Sequence, residues 1–208
     1  MQIIVLDHPL AHHKLALLRD RRTPVILFRS LTIELGLMLA VEATRNLATE
    51  AWEIETPLEK MDGQALTKMD PALVPVLRAG LGLVPSFLKL LPTAKVGHIG
   101  MYRDHASLKP VPYYRNFPPM LDARAVYVLD PMLATGGSAS EAIQEVKDAG
   151  AKDITLVSVI AAPEGIARLE KDHPDLRIVL GAVDRELNKN GYILPGLGDA
   201  GDRIFGTI

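Results

Sequence analysis

One stretch restricts what this chain can fold into more than any other: Val126-Tyr-Val-Leu-Asp-Pro-Met-Leu-Ala-Thr-Gly-Gly-Ser138. A short apolar run reaches an acid at Asp130 and ends in the small-residue turn Ala134–Ser138. Apolar residues at helical spacing follow, up to a Gly150 stop. Strand, tight turn and helix N-terminus together make a seat for an oxyanion. Gly136 and Gly137 let the backbone aim its amides at the anion, and the helix dipole favours the same charge. Thr135 and Ser138 add hydroxyl donors. The plainer reading is a connecting turn with Ser138 as N-cap. Asp130 weighs against it, because open α/β sheets place ligands at the carboxyl ends of their strands. No lysine enters the turn and its glycine spacing is different, so it is neither a Walker A loop nor a G-x-G-x-x-G turn.

The same rhythm recurs along the chain. Ala72–Leu77 is a buried-strand run ending at Arg78, followed by Gly80, Gly82 and a helical stretch over 83–91. An arginine closing an apolar strand is either a salt-bridged structural residue or an anion ligand; the two glycines beside it favour the ligand. Lys95–Tyr102 alternates as a strand and delivers Arg103 beyond its end. Further strands are expected at 2–6, 154–161 and 177–183, and weakly at 50–56. Helices are expected at 9–19, 25–47 and 163–171, the second opened by Thr23-Pro24. Strands alternating with helices predict an α/β fold, a mostly parallel twisted sheet flanked by helices with right-handed crossovers.

Four segments stand outside that pattern. Residues 57–70 read as loop. The stretch 104–118 carries Pro110, Pro112, Tyr113, Tyr114 and Pro118, so it cannot be helical, and it reads as an exposed arm or lid with an oligomer contact as the alternative. Past Asp184 glycine is too frequent for a regular element, yet Tyr192, Ile193, Leu194, Ile204 and Phe205 argue against a disordered tail. An irregular hood over the ligand edge, 184–203, is the better reading. The basic cluster Arg19, Arg21 and Arg22 reads as a solvated loop, with an anion or effector site as the alternative.

At 208 residues the chain fits one domain, 1–208, with room for a substantial core. A net charge of −2 gives no electrostatic case for nucleic-acid binding. Zero cysteines exclude a disulfide scaffold and a thiol nucleophile, and fit a reducing compartment. The N-terminus lacks the basic and apolar regions of a signal peptide, and no apolar run approaches the roughly 18 residues of a membrane span. A cytoplasmic protein without nucleic-acid or membrane partners is expected. The six histidines lack metal-site spacing.

In a parallel sheet the cradle 134–138, Asp130, Arg78 and Arg103 converge on one edge. Two arginines there could neutralise a polyphosphate leaving group, with Mg2+ bridging its oxygens. No G-x-S-x-G, cysteine or H-E-x-x-H offers a nucleophile, so positioning and charge stabilisation would carry the chemistry.

These residues resemble a known family. Val126–Ser138 is similar to the 5-phosphoribosyl diphosphate (PRPP) signature of phosphoribosyltransferases. Pro131 stands where that signature usually has a second acid, which is the form of the uracil phosphoribosyltransferase family. The resemblance runs through His8-Pro-Leu, Val76–Gly82, Gly100–Arg103, Ala161–Gly165 and Gly191–Gly206. It implies that Asp130 binds the ribose hydroxyls and that Ala134, Thr135, Gly136, Gly137 and Ser138 hold the 5-phosphate, with Pro131, Met132 and Leu133 in the same PRPP-binding loop. It further implies that Arg78 and Arg103 contact the diphosphate. Backbone groups of Ile193, Gly198 and Ala200 would read uracil from the hood, and Asp199 would face the Mg2+–PRPP side. The implied reaction joins the phosphoribosyl group to uracil N1, giving UMP and pyrophosphate, with Mg2+ as cofactor. Members include GTP-activated tetramers and dimers; a homo-oligomer is expected, with GTP as a candidate effector. The chain departs from the family at Leu187-Asn-Lys-Asn190, where Lys189 replaces a common acid and should sit at the surface.

Three alternatives are weaker. A PRPP-binding regulator of RNA on the same fold should show a basic face. A transferase for purines should not carry a hood shaped for one ring. A receiver-like phosphate-binding domain leaves Arg78, Arg103 and the hood without a role.

Overall fold

The computed structural model describes residues 1–66, 69–103 and 110–207, the side chains of Arg103 and Pro110 excepted. The chain opens with β1 (Gln2–Val5), α1 (Pro9–Arg19) and α2 (Val25–Ala43). Pro9 starts α1, and the His8 ring accepts the Leu10 N–H, which satisfies one orphan donor of the first turn. Pro24, not Thr23, occupies the cap position of α2; the Thr23 hydroxyl donates to the Leu17 carbonyl instead. α2 ends at Ala43, short of the expected 47, where Thr44 turns its hydroxyl back onto the Ala40 carbonyl.

β2 (Thr49–Glu55) and β3 (Lys60–Leu66) form an antiparallel hairpin, so the stretch expected as loop at 57–70 holds a strand. The Thr56 hydroxyl accepts the Leu58 and Glu59 N–H groups and closes the turn. Most residues of the hairpin are exposed, which leaves β3 no hydrophobic alternation to read.

Next come β4 (Ala72–Leu77), α3 (Val84–Leu90), β5 (Lys95–Val96) and β6 (His98–Arg103). β7 (Pro110–Asn116) pairs antiparallel with β6. The arm expected at 104–118 is therefore a strand over 110–116, and 104–109 lie outside the described residues. Its prolines are tolerated because β7 is an edge strand with a partner on one side only.

β8 (Ala125–Leu129), β9 (Met132–Leu133) and α4 (Gly137–Asp148) are the opening motif. β10 (Asp153–Ala161), α5 (Pro163–Asp172) and β11 (Arg177–Val183) follow. The hood holds β12 (Glu186–Leu187), β13 (Ile193–Leu194) and α6 (Ala200–Phe205), a little more regular structure than its glycines suggest.

The sheet order is β1-β11-β10-β8-β4-β6-β7, with β5 alongside β4 and β9 alongside β10. Every pair in it is parallel except β6 with β7. Because β8, β4 and β6 are neighbours running the same way, their carboxyl ends bring Asp130, Arg78 and Arg103 to one edge. Alternation along β8 divides the interior. Tyr127 and Leu129 face a core built with Leu18, Phe28, Leu35 and Phe87, while Val126 and Val128 face Ile143, Val146 and Leu169 of α4 and α5. Hood residues Ile193, Leu197 and Ala200, with Ile204 just beyond the hood, belong to the first of these cores. Among the described residues no helix is long and apolar enough to cross a membrane.

Candidate active site

The chain leaves β8 at Leu129, and β9 resumes pairing with β10 at Met132, so Asp130 and Pro131 form a bulge at the sheet's carboxyl edge. The bulge is held by Val159 and Ile160 N–H groups donating to the Pro131 carbonyl. Asp130 accepts the Met132 N–H at 3.2 Å. Burial pushes its carboxyl up to about 6, and that hydrogen bond only partly opposes the shift. The residue as a whole keeps some surface, so its carboxyl is desolvated yet still reachable at the sheet edge.

Gly136 caps α4 with φ of +76°, a left-handed conformation that a Cβ would strain. No side chain caps this helix, so Ser138, read as a candidate N-cap, instead lies inside the first turn and is exposed. The turn is closed from behind by α5. A Cβ on Gly165 would lie 2.4 Å from the Ala134 carbonyl oxygen, and one on Gly136 would lie 2.9 Å from the Gly165 oxygen. Farther along, the Ser140 hydroxyl donates to Asp172, and the buried His173 ring contacts the Ser140 carbonyl at 3.0 Å. The amides of Gly137, Ser138 and Ala139 thus open a firmly backed helix with no intrahelical acceptor.

Arg78 directly follows β4 and is exposed, and its peptide bond to Leu77 is cis. Its guanidinium contacts the Asp202 carboxylate at 3.2 Å and stands 5.9 Å from the Phe205 ring centre. Asp202 also accepts the Thr207 hydroxyl at 2.6 Å, and that hydroxyl, followed by Arg78, holds its carboxyl below the usual range. Arg103 ends β6, and its side chain lies outside what is described.

The hood spans the gap between these parts. Gly191 stands against Thr135 of the cradle, and a Cβ on it would lie 3.6 Å from the Thr135 methyl. Gly201 approaches the Arg78 guanidinium. Between them lies a cavity of about 220 Å3, floored by Met132 and Ala134 and walled by Ile193, Gly198, Asp199 and Ala200. Met132, Ala134, Ile193, Gly198, Asp199 and Ala200 are all expected site residues, and one cavity collects them. Ala79, Gly191, Tyr192 and Gly201 complete the lining and were not singled out individually as site residues. Asp199 has a second role as N-cap of α6, accepting the Asp202 N–H. Lys189 is exposed, as expected. Among the described residues no three His, Asp or Glu side chains stand together as a metal cluster.

The fold is that of the type I phosphoribosyltransferases. A hypoxanthine-guanine phosphoribosyltransferase from Bacillus anthracis superposes with a TM-score of 0.52 over 77% of this chain and 80% of that one, at 10% identity, a likeness of fold alone. The chain belongs to the uracil phosphoribosyltransferase family, whose model matches residues 5–207. The uracil phosphoribosyltransferase of Dictyoglomus thermophilum is 54% identical over 99% of both chains. That of Thermus thermophilus is 52% identical over the full length of both. The structure of the AQ2163 protein from Aquifex aeolicus matches with a TM-score of 0.92 at 39% identity, covering 98% of each chain. The protein is a transferase.

Proposed function

We propose that this enzyme transfers the 5-phosphoribosyl group of PRPP to uracil in pyrimidine salvage, releasing pyrophosphate. The C1′–oxygen bond to the diphosphate breaks, the bond from uracil N1 to C1′ forms, and the N1 proton leaves to solvent. The observation that supports this reading is a cavity lined by both cradle and hood, which would seat a flat base beside a sugar phosphate held at the cradle.

Each group then has a task. The amides of 137–139, with Thr135 and Ser138, hold the 5-phosphate, and Asp130 orients the ribose through its hydroxyls. Arg78 exchanges its exposed contact with Asp202 for the diphosphate, and Arg103 joins it there by family resemblance. Uracil's edge alternates acceptor and donor, and the main-chain groups of Ile193, Gly198 and Ala200 can match it rigidly. Mg2+ would be held mainly by the PRPP oxygens, with the Asp199 carboxylate facing that side. When bound to the diphosphate, the ion would neutralise charge building on the leaving group. The same resemblance supports a homo-oligomer and makes GTP the effector to assay.

The test supplies purified protein with PRPP and Mg2+, and with uracil, cytosine, adenine, hypoxanthine or orotate in turn, and measures pyrophosphate release. Release with uracil well above the other bases is expected. No release with uracil, or faster release with another base, would sink the proposal. Omission of Mg2+ with a chelator should abolish turnover.

A further inference from the structure

We infer that Arg19 and Asp184 form a positioning device for the base-binding turn of the hood, so that the end of the first helix sets how well uracil is held. The inference rests on the proposed activity. Arg19 is the last residue of α1, inside the basic cluster that reads from sequence as a solvated loop. It is not solvated. Its guanidinium grips both carboxylate oxygens of Asp184, one at 2.7 Å, and donates to the Gly196 carbonyl at 2.7 Å. Asp184, with a side chain only 4% exposed, also accepts the Gly196 N–H at 2.9 Å. Both main-chain polar groups of one hood residue, Gly196, are therefore clamped by one ion pair.

A second arginine braces the far side of the same turn. Arg203 of α6 donates to the Leu197 carbonyl at 2.7 Å, and to the Leu18 and Asp20 carbonyls on either side of Arg19. Its guanidinium lies 4.3 Å from the Phe28 ring centre on α2. Gly196 and Leu197 are thus tied to the α1–α2 junction from two directions, and the next residues, Gly198 to Ala200, wall the cavity. Base recognition through main-chain groups has no side chain that can adjust to a shifted backbone. Its accuracy depends on what fixes the backbone, and the planar fork of arginine holds a carboxylate bidentately with a carbonyl beside it, a fixed geometry that a compact ammonium does not impose. The phosphate cradle lies on the other side of the cavity, so the clamp should act on the base alone.

The test is kinetic, on the full-length enzyme. Arg19→Lys keeps the charge but loses the fork, and Arg19→Met with Asp184→Asn removes the pair without stranding a buried charge. In either variant the KM for uracil should rise about tenfold, the equivalent of ~1.4 kcal/mol. The KM for PRPP should stay within about twofold, a split that general destabilisation would not produce. Equal rises in both constants, or none, in a folded variant overturn the inference. Should both variants fail to fold, hydrogen exchange on the wild-type protein decides. The Gly196 amide should be protected like those of β10, and exchange as fast as at exposed Asn190 refutes the clamp. A wild-type enzyme inactive on uracil would sink the proposed function instead, a separate outcome.

Discussion

At the scale of single residues, Asp130 is where folding and function pull apart. Its folded carboxyl sits at about 6 against an ordinary 3.8, so between those values the native state binds more protons than the unfolded chain. The contribution of this group to stability is full below about 3.8 and lost as pH rises through about 6. At neutral pH the charged form is held at an expense of at most about 3 kcal/mol, two pK units at roughly 1.4 each. Asp130→Asn removes that expense and keeps an acceptor for the Met132 N–H. Its Tm at pH 7.5 should equal or exceed that of the wild type, and the advantage should vanish near pH 4. Activity should fall about a hundredfold or more if the proposed pair of charge-assisted bonds to ribose hydroxyls is lost, at roughly 1.5–3 kcal/mol each. A variant that melts well below the wild type at pH 7.5 would mean that Asp130 is structural. In the wild type, the KM for PRPP should drop as pH rises from 5 to 7, since the ionised carboxylate is the better acceptor.

At the scale of elements, the cradle is two elements pressed together, and this tightness gives a second prediction. Gly165 lies in the first turn of α5, where a Cβ would strike the Ala134 oxygen at 2.4 Å and the Leu133 oxygen at 3.0 Å, both backbone atoms that cannot rotate away. Gly165→Ala should therefore shift the cradle, raise the KM for PRPP and lower stability by roughly 1–3 kcal/mol, as read by kinetics and chemical denaturation. The motif 126–138 and the Arg78 turn were legible in sequence because each is local: a strand, an acid or arginine, then glycines before a helix. Their meeting at one edge followed from parallel pairing alone. The β2–β3 hairpin was half hidden, since a ribbon exposed on both faces carries no alternation. Lining residues such as Ala79 and Gly201 have no chemical signature and enter the site only through the fold. Arg19 was misread because Asp184 lies 165 residues away, and nothing local marks a tertiary partner.

At the scale of the whole molecule, the hood is part of the body that it covers. Ile193, Leu197, Ala200 and Ile204 share a core with Phe28, Leu35 and Val157, so the last elements of the chain complete the interior begun by the first helices. Ile204 is 5% exposed and packs toward Gly82, behind the Arg78 turn. Ile204→Ala should cost about 2–5 kcal/mol, the range for truncating a buried aliphatic side chain. For a domain of this size each kcal/mol lowers Tm by roughly 2–4 °C. Calorimetry should then show one transition moved down as a unit. A hood that melted separately would leave the main transition in place and add a small early one, and that trace would show that hood and body do not share a cooperative core. A shared core also determines the kinetic outcome. Cooling well below the lowered Tm should restore most of the kcat, because the truncation changes the fraction folded more than the arrangement of the cavity. Loss of kcat that persists in the cold would place Ile204 in control of Arg78 through α6.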